Sequence, residues 1–91
     1  MRSDLFPGHE LVEQGIDDLC DGVESVPSLL VSIGAPRLRR LGFAIPAKLI
    51  PSPELCLYRR LWQSDPDGAH SRYNALLRRL VSFERAAECA S

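Results

Sequence analysis

The stretch that decides the fold is the last one, GAHSRYNALLRRLVSFERAAECAS at residues 68–91. Its apolar side chains recur at three- and four-residue spacing, which places them along one face of an α-helix. They are Ala69, Tyr73, Leu76, Leu77, Leu80, Phe83 and Ala87. We therefore expect a long amphipathic helix that is capped by Asp65 or Asp67 and ends near residue 89.

A second helix is predicted just before it, over about residues 53–63. Ser52 offers a side-chain oxygen as N-cap, Pro53 suits the first helical position, and Glu54 favours the helix dipole. Four apolar residues then fall on one predicted stripe: Leu55, Tyr58, Leu61 and Trp62.

In the first half, PGHELVEQGIDDLCDG predicts a helix over about residues 8–21, which Gly22 ends in the left-handed conformation. Gly15 inside it costs up to about 1 kcal/mol relative to alanine, unless another backbone packs close there. Residues 26–34 predict a short buried helix that Gly34 ends.

A further short helix is predicted at Pro36–Leu41, closed by Gly42. The three prolines of FAIPAKLIPSP, residues 43–53, exclude a continuous helix and predict an extended connector over the core. A helix-turn-helix interpretation of residues 26–42 is weaker, because its second helix would end after about six residues.

No segment alternates as a half-buried strand does, and 91 residues suffice for one core. We expect an all-α domain spanning residues 1–91, a single small orthogonal or irregular bundle of about five helices with a long C-terminal helix.

Charge is divided between the two halves of the chain. Residues 1–34 hold seven acidic residues against one arginine, whereas residues 35–91 hold ten basic residues against five acidic ones. We expect the acidic first helix to neutralise the later basic helices; the alternative is a basic surface left open for phosphates or an acidic partner.

Cofactor and metal sites are not predicted. Cys20, Cys56 and Cys89 are widely separated and show no metal-binding spacing, and no run approaches the about 18 apolar residues of a membrane span. We expect a cytoplasmic protein with reduced thiols and no membrane association. His9 and His70 stand at predicted helix starts without a nucleophile motif, so we expect no enzymatic activity.

The first candidate site is the beginning of the last helix, where a polar cluster could bind an anion or a carboxylate. The alternative is that these side chains only cap and solvate the first turns. Two arginines further along extend the basic face towards a phosphate backbone. The candidate binding residues are His70, Arg72, Tyr73, Asn74, Arg78 and Arg79.

The second candidate site is apolar, because the last two helices carry more large apolar side chains than a core of this size needs. Its residues are Tyr58, Trp62, Leu80 and Phe83. The sequence thus favours a non-enzymatic protein-interaction or regulatory module that forms a homo-oligomer, a dimer, or binds another protein. The alternative is a nucleic-acid-binding protein that uses the arginines of the last helix.

Overall fold

The computed structural model describes residues 6–90, and within that range every regular element is an α-helix. The four helices are α1 (His9–Cys20), α2 (Val26–Arg40), α3 (Pro53–Ser64) and α4 (Ala69–Ala90). The all-α class and the long last helix are therefore confirmed. None of these four helices is both long and apolar enough to cross a membrane. Residues 1–5 and 91, including Arg2 and Asp4 of the charge count, lie outside the described residues.

Helix α2 is the centre of the fold, since α1, α3 and α4 all pack against it. Its side chains Leu29, Val31 and Leu38 are fully buried and belong to the same core cluster as Phe83 of α4, which is also fully buried. Ser25 caps the helix: its hydroxyl accepts a hydrogen bond from the Ser28 backbone N–H at 3.2 Å.

The prediction of two short helices in this segment is wrong, because α2 continues through both Gly34 and Pro36. Pro36 lacks one backbone donor, but continuing the helix buries Ala35 and Leu38 completely. Gly34 is not a helix stop. A Cβ placed there would lie 2.9 Å from Glu84 Oε2, so the missing side chain lets α4 approach α2. The chain consequently has four helices in the described range rather than about five.

Close packing at Gly15 is confirmed. A Cβ at this position would collide with the carbonyl oxygen of Pro27 and with the side chain of Val31, and would lie 2.7 Å from the Pro27 carbonyl carbon. The glycine therefore allows α1 to rest directly on the first turn of α2. Gly22 adopts the predicted left-handed conformation with φ +73°.

The prediction that no continuous helix spans the connector is confirmed, since residues 43–52 form no helix. Phe43 packs its ring against Phe83 with the centroids 5.3 Å apart. Arg39 donates a hydrogen bond to the Pro46 carbonyl at 2.6 Å, which ties the connector to α2. The connector thus covers one side of the core.

The capping predictions for the last two helices need correction. Ser52 has φ 48° and its side chain makes no capping hydrogen bond to α3. Asp65 accepts a hydrogen bond from the Gly68 backbone N–H at 3.2 Å, so it closes the turn before α4. The helix itself starts at Ala69, later than either acidic residue would place it as a cap.

Candidate functional site

The apolar stripe predicted on α3 is divided between two faces of the helix. Leu57 and Leu61 point into the core, with 0% and 2% of their surface exposed. The other large apolar side chains face outward: Leu55, Tyr58 and Trp62 are 55%, 36% and 54% exposed. They recur at i, i+3 and i+7, which aligns them along one outer stripe. We call Leu55, Tyr58, Trp62 and the intervening exposed Arg59 the outer patch.

The centre of the outer patch is held in place by an aromatic contact. The Tyr58 and Tyr73 rings meet edge to face, with centroids 5.6 Å apart. Burial raises the pKa of the Tyr73 hydroxyl above its usual value, and the charge of Glu54 acts in the same direction. Tyr73 is therefore a half-buried support that links α4 to the exposed ring of Tyr58.

Leu80 and Phe83 do not belong to this surface. Leu80 is 5% exposed and Phe83 is fully buried. The Phe83 ring packs against Phe6 and Phe43, with centroid distances of 5.7 and 5.3 Å. The assignment of these two side chains to an interface is corrected: they build the core of the single chain, while Tyr58 and Trp62 remain accessible.

The polar cluster at the start of α4 forms local contacts. Asn74 Nδ2 lies 3.3 Å from His70 Nε2, one turn apart on the same helix. Arg72 is exposed, and Tyr73 is turned towards Tyr58 rather than towards the cluster. These contacts agree with side chains that solvate the first turns of a helix.

The two remaining candidate arginines have different environments. Arg79 forms an ion pair with Glu10 of α1. Arg78 is exposed and has no carboxylate partner among residues 6–90. A second pair joins the acidic and basic halves, since Arg60 Nη2 lies 3.8 Å from Glu24 Oε2. Ion pairs within the molecule therefore neutralise part of the opposite charges of the two halves of the chain, as expected.

The two histidines are not brought together. The His9 ring lies 3.2 Å from Glu10 at the start of α1, and this end of α1 packs near Arg79 of α4. His70 lies nine residues before Arg79, which is roughly 13 Å along the helix axis. Within residues 6–90, no group of three or more potential metal ligands is clustered.

A buried carboxylate lies where α2 and α4 meet. Glu84 is 4% exposed, and its Oε1 lies 3.6 Å from Arg37 Nη1. Arg37 also binds the exposed Glu88 at 2.6 Å. Both carboxylates thus pair with Arg37 of another helix, although Arg85 is their neighbour in sequence. The burial of Glu84 could have been found from the sequence, because Glu84 continues the helical spacing of the apolar residues Leu77 and Leu80.

Burial raises the pKa of Glu84 above its usual value of 4.5, and the nearby Arg37 only partly opposes this. The folded state therefore binds the proton more readily than the unfolded state does. Stability from this group is present below pH 4.5 and is lost as pH rises through the folded pKa.

We expect Glu84→Gln to remove this loss, so that its stability relative to wild type improves as pH rises from 4 towards 7. Urea unfolding at several pH values would measure the difference between the two proteins. Glu88→Gln is the control, since its carboxylate is 62% exposed. This interpretation would be contradicted if the free energy of unfolding of Glu84→Gln, relative to wild type, stayed constant or fell with rising pH.

Comparison of the chain with protein family models, with curated proteins and with solved structures found no match. The site is therefore described from the structure alone. The protein is an all-α domain with a closed core, an exposed aromatic stripe on α3 and arginines on the outer surface of α4.

Proposed function

We propose that the protein is a small binding module that self-associates through the outer patch of α3. The observation that carries the proposal is the half-exposed Trp62, aligned with Leu55 and Tyr58 on an outward-facing side of α3. Among the aromatic rings of residues 6–90, only that of Tyr73 packs against this stripe, at Tyr58. Tryptophan, tyrosine and arginine are the residues that most often dominate binding energy at protein interfaces. The outer patch contains all three.

The order of residues along the outer patch suits a twofold arrangement. Leu55 and Trp62 stand at its two ends, and Tyr58 and Arg59 lie midway between them. When two α3 helices pair antiparallel about an axis at this midpoint, Leu55 meets the partner's Trp62. Tyr58 then meets the partner's Arg59, where a guanidinium can stack on the ring. Such reciprocal contacts are what an isologous dimer requires.

The size of the patch sets the expected affinity. Helix α3 has 12 residues, a length of about 18 Å, so the pairing of two such helices buries less than the about 800 Å² per partner of a standard interface. We therefore expect a reversible dimer with a dissociation constant in the range of about 1 to 100 µM.

Trp62 provides the test, because it is the only tryptophan of the chain. We expect its emission to shift to longer wavelength when the protein is diluted from about 500 to about 5 µM, since dissociation returns the indole to water. Leu55→Glu is the matched control: it keeps Trp62 but breaks the opposite end of the patch. Its emission should lie at the longer wavelength at both concentrations. A spectrum that is independent of concentration and equal in both proteins would refute the proposal.

Nucleic-acid binding through α4 is the second candidate, and it is favoured by the exposed Arg72, Arg78 and Arg85, which have no carboxylate partner among residues 6–90. Two observations weigh against it. Arg79 is already paired with Glu10, and Arg78 and Arg85 border a depression that is also lined by the apolar side chains of Leu77 and Val81. Heparin retention that falls steeply with salt, and is lost in Arg72→Gln/Arg78→Gln/Arg85→Gln, would support nucleic acid instead.

A further inference from the structure

A second accessible surface follows the contact between α2 and α4, and we call it the α2/α4 groove. Two adjoining depressions form it, and they share Leu77 and Val81. Ile33 of α2 completes the apolar floor of the groove. All three side chains are half-buried, so the floor is partly open to solvent.

Arginines line both edges of this floor. On α2, Arg37 and Arg40 follow Ile33 at i+4 and i+7 and therefore share its face. On α4, Arg78 and Arg85 are two turns apart, a spacing of about 10.5 Å along the axis. All four border the depressions that form the groove.

The charge of the groove is only partly neutralised. Arg37 is bound by Glu84 and Glu88. Within the described residues 6–90, Arg40, Arg78 and Arg85 have no carboxylate partner. Four guanidinium groups thus face two carboxylates, and the surplus positive charge lies on both edges of an apolar floor.

We propose that the α2/α4 groove binds an acidic amphipathic helix of a partner protein. Apolar side chains of such a helix would occupy the floor at Ile33, Leu77 and Val81, and its flanking carboxylates would reach the arginines on both edges. A nucleic-acid duplex would use the arginines but leave the apolar floor against hydrated phosphates. This surface is separate from the outer patch of α3, because no residue of that patch lines the groove.

The test uses two fluorescein-labelled synthetic peptides of about 16 residues with leucines at i, i+4, i+7 and i+11. One carries glutamates at the flanking positions and the other carries lysines. We expect the glutamate peptide to raise the anisotropy with a dissociation constant below about 100 µM, and the lysine peptide to bind at least about tenfold more weakly.

Two variants locate the binding surface. Arg78→Glu/Arg85→Glu should weaken binding of the glutamate peptide at least about tenfold. Val81→Glu, which places a charge on the apolar floor, should weaken it by a similar factor. Lys48→Glu/Arg60→Glu is the matched control, with an equal change of charge at exposed positions outside the groove. It should leave the affinity within about threefold of wild type.

The proposal is overturned when the glutamate peptide does not bind at about 500 µM, or when both peptides bind equally well. It is also overturned when the groove variants bind like the control, or when a mixed-sequence DNA duplex displaces the peptide at equal concentration. Repeating the titration with Leu55→Glu separates the two proposals, since loss of self-association should leave peptide binding unchanged.

Discussion

Replacing Gly15 by alanine is expected to destabilise the protein by about 3 kcal/mol. In an isolated helix the same change would be favourable by up to about 1 kcal/mol, so tertiary packing reverses the sign. The added methyl group would collide with the Pro27 carbonyl oxygen and with Val31, and it would lie 2.7 Å from the Pro27 carbonyl carbon. A backbone group cannot rotate away as a flexible side chain can. Helix α1 must therefore move off α2, and its contact with the core is lost.

A domain of this size has a total stability of about 5 to 15 kcal/mol, so the Gly15→Ala loss is a large fraction of it. Urea unfolding followed by circular dichroism measures the change. Gln14→Ala is the matched control on the same helix, because Gln14 is exposed and its replacement should change stability by less than about 0.5 kcal/mol. A Gly15→Ala protein as stable as wild type, or more stable, would show that α1 does not rest on α2 in this way.

Replacing Trp62 by glutamate is expected to weaken the dimer by several hundredfold or more. A tryptophan that dominates the binding energy of an interface contributes about 2 kcal/mol or more, and a twofold dimer loses this contribution twice. The resulting loss of about 4 kcal/mol corresponds to nearly three orders of magnitude in the dissociation constant. Because the side chain is 54% exposed in the single chain, folding should be affected far less than association.

The control for Trp62→Glu is Gln63→Glu, which adds the same charge to the next residue of α3 but outside the outer patch. Gln63 is exposed and lies beside Cys56, Arg59 and Arg60, at the border of the outer patch. Sedimentation equilibrium should find Trp62→Glu monomeric where Gln63→Glu still associates like wild type. Equal loss of association in both variants would mean that added negative charge, and not the tryptophan, is responsible.

Much of the fold is readable from the sequence, and α4 shows why. Seven apolar residues recur over the 19 positions from Ala69 to Ala87. Among regular structures, only a helix places side chains of this spacing on one face over such a length. The break predicted in α2 shows the limit. Gly34 and Pro36 are local signals for a helix end, but burial of Ala35 and Leu38 and the close approach of Glu84 outweigh them.

The candidate site could be predicted only in part. The sequence indicated an excess of large apolar side chains on the last two helices, and two of them, Tyr58 and Trp62, are exposed. The sequence could not separate them from Leu80 and Phe83, since the position of the neighbouring helices decides which apolar side chains are buried. On α3 two stripes compete, and the one with Leu57 and Leu61 is buried because α2 packs on that side.

The most direct measurement of the central claim is the solution mass of the wild-type protein by sedimentation equilibrium, from about 5 to about 500 µM. The chain has a mass of 10.1 kDa. Self-association through α3 predicts an average mass that rises with concentration towards twice that of one chain and falls back towards the single-chain value on dilution. A mass that stays at 10.1 kDa over the whole range would contradict the account.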